Sequence, residues 1–211
     1  MTTLLHIQAS PRKSRSASIE VADALIQRYQ EKHLETNTIV LDLWESDIPE
    51  LDQNALEAKY AGLAGIDLNE KQLHAWARLK ALANYLYEAD LIILSIPLWN
   101  FGIPYKLKQF IDLVSQKDIL FSFDPQNGLQ GLLHNKKAVG IYARGIELSH
   151  ESNTPPELFD FQKPYIETWL KFIGISDIHS VIVDKTIFGE QIDQESRDYA
   201  KAKAVALADQ L

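Results

Sequence analysis

Short, nearly unbroken apolar runs recur along the chain at residues 4–7, 38–41, 90–96, 138–143 and 178–183. Each reads as a strand covered on both faces, because a half-exposed strand would alternate with period two. Between these runs the apolar spacing changes to the 3.6-residue period of a helix. Residues 18–32 place Val21, Ala24, Leu25 and Tyr29 on one face, and residues 69–87 do the same with Leu73, Trp76, Leu79, Ala83 and Leu86. After Pro104, Leu107, Phe110, Ile111 and Val114 fall at i, i+3, i+4 and i+7, and two more helices are predicted at 164–173 and 191–209. Strands that alternate with helices predict a doubly wound parallel α/β sheet, since parallel strands need right-handed crossovers. Residues 47–66 fit neither period and are expected as irregular chain over an edge or one end of the sheet. Neither a repeat nor a linker composition interrupts the pattern, so residues 1–211 are read as a single domain.

Open α/β sheets bind ligands outside the carboxyl ends of their strands. The loop at that end of the first strand, residues 9–17, carries Ser10, Ser14 and Ser16, with Ser18 just beyond, and has no glycine. The dinucleotide pattern G-x-G-x-x-G and the nucleotide cradle G-x-x-x-x-G-K-[ST] are both missing. A phosphatase attacking from this loop would need a cysteine, and the chain has none; a G-x-S-x-G hydrolase elbow is missing too. What remains is a ring of hydroxyls ahead of a helix N-terminus, with Arg12, Lys13 and Arg15 adding positive charge. That set suits a terminal monophosphate. A Ser16 or Ser18 that only caps the helix explains the pattern equally well.

The third strand ends at Pro97, and Leu98, Trp99, Asn100, Phe101 and Gly102 lead to a helix marked by Pro104. Aromatic rings flanking an amide suit a flat conjugated ligand, and they equally suit a plug for the top of the core. The fourth strand ends in Arg144 and Gly145, where glycine permits close backbone approach, a positive φ, or a simple turn. Three loops thus meet at one end of the sheet. A flavodoxin-like order, 2-1-3-4-5 with helices on both faces in a three-layer sandwich, holds FMN at this switch point.

Composition narrows the alternatives. The net charge is −8 with no basic run, which argues against nucleic-acid or anionic-membrane partners. The absence of cysteine excludes disulfides and thiolate metal sites, and a cytoplasmic protein is expected. The six histidines show no ligand spacing, so no metal is expected; His150 is the one that could approach the pocket. The acidic stretch "LDLWESDIPELD" reads as solvated surface.

The motifs "SPRKSRSAS", "PLWNFGIPYKLKQFIDLV", "LFSFDPQNGLQGL", "KKAVGIYARG" and "PYIETWLKFIGI" occur together in this chain. With them the sequence resembles, over nearly its full length, the FMN-dependent NADH-azoreductases, flavodoxin-like NAD(P)H:quinone oxidoreductases. The resemblance implies a homodimer with FMN in two interface sites, reducing quinones and azo compounds with NADH or NADPH by a ping-pong sequence. It implies that Ser10, Ser16, Ser18 and the Ala17 amide bind the phosphate. Pro97, Leu98, Trp99, Asn100 and Phe101 would line the isoalloxazine, with Arg144 and Gly145 at its pyrimidine edge. Phe121 and Phe172 would wall the substrate pocket, in part from the partner subunit, with Ile146 adding bulk beside it. No catalytic side chain is implied, because the flavin carries the chemistry. Two departures stand out: Ala143-Arg144-Gly145-Ile146 replaces the family's frequent Ser-Arg-Gly-Gly, and Trp99 replaces its commonest tyrosine. The rival reading is a flavodoxin-like electron carrier, against which the extra segments 47–66 and 118–133 weigh.

Overall fold

In the computed structural model, which describes residues 2–211, the first strand β1 (Thr2–Gln8) leads into helix α1 (Ala17–Lys32) and then β2 (Thr36–Asp42). Helices α2 (Gln53–Ala64) and α3 (Glu70–Glu88) follow, then β3 (Leu91–Pro97) and α4 (Tyr105–Val114). A hairpin of β4 (Phe121–Asp124) and β5 (Gly128–Gly131) precedes β6 (Lys137–Ala143). A single turn, α5 (Pro156–Phe159), then α6 (Lys163–Phe172), β7 (Asp177–Val183) and α7 (Glu190–Ala208) complete the chain.

The central sheet is fully parallel and ordered β2-β1-β3-β6-β7, which is the expected 2-1-3-4-5 order with the hairpin strands left out of the count. Side chains alternate between its faces as a pleated strand requires. Leu4, Leu91, Ile93, Val139 and Ile141 pack against α1 and α7. Leu5, Ile7, Ile92, Leu94 and Ala138 pack on the other side against α3, α4 and α6. Two apolar layers therefore clamp one sheet and fix the strand ends from which the loops spring.

The structure departs from the sequence reading in three places. Residues 47–66 are not irregular, because α2 occupies most of them, capped by the Asp52 carboxylate accepting from Ala55 N at 2.9 Å and closed by Gly65 at φ 68°. That helix buries only Ala55 and Ala58, so its apolar stripe is too thin to register as a period. Second, Leu73 is 54% exposed and Ala24 only half-buried, while the core face of α1 is completed by Ala22 and Ile26. Third, residues 121–131 form a hairpin whose turn is held by Asp124 Oδ1, accepting from Gln126 N and Asn127 N at 2.8 Å each.

Candidate functional site

The loop after β1 begins where Ala9 N donates to Ser95 O at 3.0 Å, which ties it to the neighbouring β3. A short 3₁₀ turn at Lys13–Arg15 then delivers Ser16 to the N-cap position of α1. Its side chain makes no capping hydrogen bond, so capping does not account for this serine. Ser10, Ser16 and Ser18 are 1%, 3% and 0% exposed, and the Ser16 and Ser18 hydroxyls lie 3.2 Å apart. Buried hydroxyls beside the free amides of a helix start form a donor-rich group suited to an anion. Ser14 is exposed and stands outside this group. Lys13 is drawn away by ion pairs to Asp42 and Glu45, so its charge is already compensated. Asp42, read from sequence as solvated surface, is instead the anchor of this loop, and its Oδ1 also accepts from Trp44 N at 3.0 Å.

Beneath the serines runs a buried polar chain that sequence periodicity does not reveal. Ser95 Oγ donates to Ser18 O at 3.2 Å, so the 2.7 Å contact between His6 and Ser95 has His6 Nε2–H as donor. His6 Nδ1 is then the acceptor facing the Gln8 amide at 3.4 Å. Burial pushes the His6 pKa from 6.5 down to about 4, a shift only partly opposed by the Asp42 charge. His6 is therefore neutral near pH 7 and holds the first turn of α1 in place through Ser95.

The loop after β3 is built differently. Leu98 N donates to Ala143 O at 2.7 Å, extending the pairing of β3 with β6. Trp99 and Gly102 then exchange backbone hydrogen bonds at 3.2 and 2.9 Å around Asn100 and Phe101, both left-handed with φ of 46° and 68°. Two consecutive positive φ angles make this a tight primed turn. Asn tolerates that conformation, whereas at Phe it stores strain of about 1 kcal/mol or more. Trp99 packs beside Trp44 and Tyr105, with ring centroids at 5.7 and 6.3 Å. Trp44, which the sequence reading passed over, donates from Nε1 to Ala9 O at 3.0 Å and so joins the first and second loops. Phe101 stays 44% exposed, its ring 5.3 Å from Phe159.

The loop after β6 carries Arg144, Gly145 and Ile146 on from the strand. Arg144 N donates to Val183 O at 2.8 Å, and Ile187 N to Gly145 O at 3.3 Å. Gly145 does not take a positive φ; a Cβ there would meet the Ile187 side chain at 3.3 Å, so the glycine serves close approach. The Arg144 guanidinium is 3% exposed and pairs with Asp160 at 2.6 Å rather than projecting into solvent. Ile146 is half-buried, whereas His150 is a surface residue 3.4 Å from Glu157.

Phe121 and Phe172 touch, with ring centroids 4.8 Å apart, but not at this end of the sheet. Gln162, just ahead of α6, donates from its side chain to Ile96 O at the carboxyl end of β3. Ten helical residues then carry the chain about 15 Å away to Phe172. There Ile173 O accepts from Leu133 N, shortly before β6 begins. Within one chain the structure thus gathers the β1, β3 and β6 loops at one end and the Phe121–Phe172 pair at the other.

Comparison with known proteins places this geometry in a class. The family described as a flavodoxin-like fold matches residues 2–208. The FMN-dependent NADH:quinone oxidoreductase 3 of Pseudomonas fluorescens is 62% identical over 211 residues, covering 100% of this chain and 98% of that protein. A Burkholderia lata protein named FMN-dependent NADH:quinone oxidoreductase 9 is 47% identical, covering 98% and 99%. Among solved structures, an azoreductase from Bacillus anthracis superposes with a TM-score of 0.88 at 24% identity, covering 100% of both chains. The chain belongs to the flavodoxin-like family of FMN-dependent NADH:quinone oxidoreductases.

Proposed function

We propose that this chain, as one domain, binds FMN at the carboxyl end of its sheet and uses it to reduce quinones and azo compounds with NADH. The observation that carries the reading is the set of buried serines Ser10, Ser16 and Ser18, with Ser16 at the start of α1 making no side-chain cap of its own. This fits a phosphate dianion, held by hydroxyls and by amides including that of Ala17. Pro97, Leu98, Trp99, Asn100 and Phe101 offer the isoalloxazine a wall of apolar surface, with the Asn100 and Phe101 amides as backbone donors, and Gly145 N beside Arg144 offers a second edge. Bound FMN would supply the two-electron redox chemistry between NADH and the acceptor, which we take to exchange in turn at the same site. The protein's own part is to orient both partners and to fix donors where charge accumulates on the ring.

A homodimer belongs to the same proposal. Phe121 and Phe172 lie a helix length from the loops of their own chain, so they can wall a substrate pocket only in the site of a second copy. Phe101, Phe161 and Phe188, at 44%, 61% and 54% exposed, give the loop end of the molecule apolar surface to cover. Beside the ring, Ile146 adds bulk and Ala143 removes one hydroxyl, so these two positions bear on acceptor range and flavin potential. We place the reaction in the cytoplasm, where its electron donor is kept.

The test is the visible spectrum of purified protein with FMN, before and after anaerobic addition of NADH. A bound-flavin spectrum that bleaches, and returns on adding a quinone, is the expected result. Bound flavin that NADH leaves untouched would make the protein an electron carrier, and no binding at all would overturn the site.

A further inference from the structure

The segment 159–162 lies outside all three loops, yet it touches two of them. Phe161 N donates to Phe101 O at 2.9 Å, and the Phe159 ring rests beside that of Phe101. The Gln162 side chain is fully buried, donates to Ile96 O at 2.9 Å, and accepts at long range, 3.4 Å, from Arg144 Nε. Asp160 takes Arg144 Nη2 on Oδ2 at 2.6 Å, while its Oδ1 accepts from Gln162 N at 3.2 Å and Lys163 N at 3.0 Å. The Arg144 and Asp160 side chains are 3% and 9% exposed, so neither charge has solvent to satisfy it.

We propose that Asp160 and Gln162 are positioning residues of the flavin site: they hold the loops after β3 and β6 at a fixed separation and neutralise the Arg144 guanidinium inside the protein. The inference rests on the FMN reading above. Its chemical consequence concerns charge. A guanidinium paired with Asp160 adds little net positive potential to the end of the sheet where a reduced cofactor would carry its extra negative charge. Removing the carboxylate releases that potential, and removing both charges cancels it again.

Three variants test the assignment by flavin titration, anaerobic redox potentiometry and melting of the flavin-free protein. Gln162→Leu is expected to bind FMN about tenfold more weakly, the effect of losing one buried positioning hydrogen bond. Asp160→Asn keeps the shape and the Oδ1 acceptor. It is expected to favour reduced over oxidised FMN about tenfold more than the wild type does, a positive shift of about 30 mV for a two-electron couple. The double variant Arg144→Gln/Asp160→Asn is expected to bind FMN more weakly while its potential returns to that of the wild type. Wild-type affinity and potential in all three, with only a lower melting temperature, would overturn the proposal. If Asp160→Asn does not fold, the double variant decides alone: wild-type FMN affinity in it refutes the positioning role. Failure of the wild type itself to bind FMN sinks the functional reading and this inference with it, whereas failure confined to the variants' readouts sinks only the inference.

Discussion

The loops after β1 and β3 stand side by side and are built on opposite principles. The first is a cluster of buried hydroxyls at a helix start, held in place by the His6–Ser95–Ser18 chain. The second is a strained two-residue turn whose central side chains, Asn100 and Phe101, are exposed. A compact charged group gains most from donors fixed in advance, because reorganising them in a dry site is costly. A flat ring that must admit two different partners in turn gains from walls that stand at the surface. On the proposed reading, the contrast assigns FMN affinity to the first loop and acceptor selection to the second.

The sharpest way to break that contrast is Ser16→Ala together with Ser18→Ala. Losing two hydrogen bonds to a charged group should weaken FMN binding by about 3 kcal/mol or more, hundredfold at least, as read by calorimetric titration. A loss below tenfold would move the affinity elsewhere.

The next effect is on stability and depends on pH. His6 has its pKa lowered to about 4 in the folded protein, from 6.5, by burial. The unfolded chain therefore binds the extra proton over that window, and the contribution is complete above about pH 6.5 and fades as pH falls toward 4. The loss should reach about 3 kcal/mol. Chemical denaturation of the wild type and of His6→Gln at pH 7 and pH 4 measures it. The two proteins should converge in stability on acidification, and parallel curves would show that folding leaves the His6 pKa unshifted.

Trp44→Phe removes the indole donor to Ala9 O and leaves that buried carbonyl without it. A cost of about 1–2 kcal/mol in unfolding free energy is expected, with FMN affinity falling less than in the serine variant. Smallest is Phe101→Asn. Asn accepts the left-handed backbone, so relief of strain should offset the lost contact with Phe159 to within about 1 kcal/mol. Steady-state kinetics should then show the KM for the quinone rising while FMN affinity holds. A large drop in FMN affinity here would erase the distinction between the loops.

How far the sequence could be read follows from what each element does. The strands of the parallel sheet are buried on both faces, and their apolar runs announce them. Their order follows from the loops converging at a switch point. α2 escapes because its buried face is two alanines wide. The β4–β5 hairpin was readable in principle: "FSFDPQNGLQG" alternates with period two on either side of the loop 125–127, closed by Gly128 at φ 71°. Ser10, Ser16 and Ser18 stand out because hydroxyls cluster where glycines are expected. Asp160, Gln162 and Trp44 carry no such mark. Their importance comes from contacts across tens of residues, as between Gln162 and Ile96, and no local pattern encodes those. Lys13 illustrates the converse: a cation in a promising loop whose charge is taken by Asp42 and Glu45.

The bonds from Phe161 to Phe101 and from Gln162 to Ile96 also bear on protein engineering. Recombining relatives to change acceptor preference would naturally treat 97–102 as one cassette. Here that cassette is discontinuous, since its backbone is tied to 159–162, more than fifty residues along the chain. A chimaera that swaps the first stretch without the second inherits a turn cut to another protein's scaffold, so the two should travel together in any library.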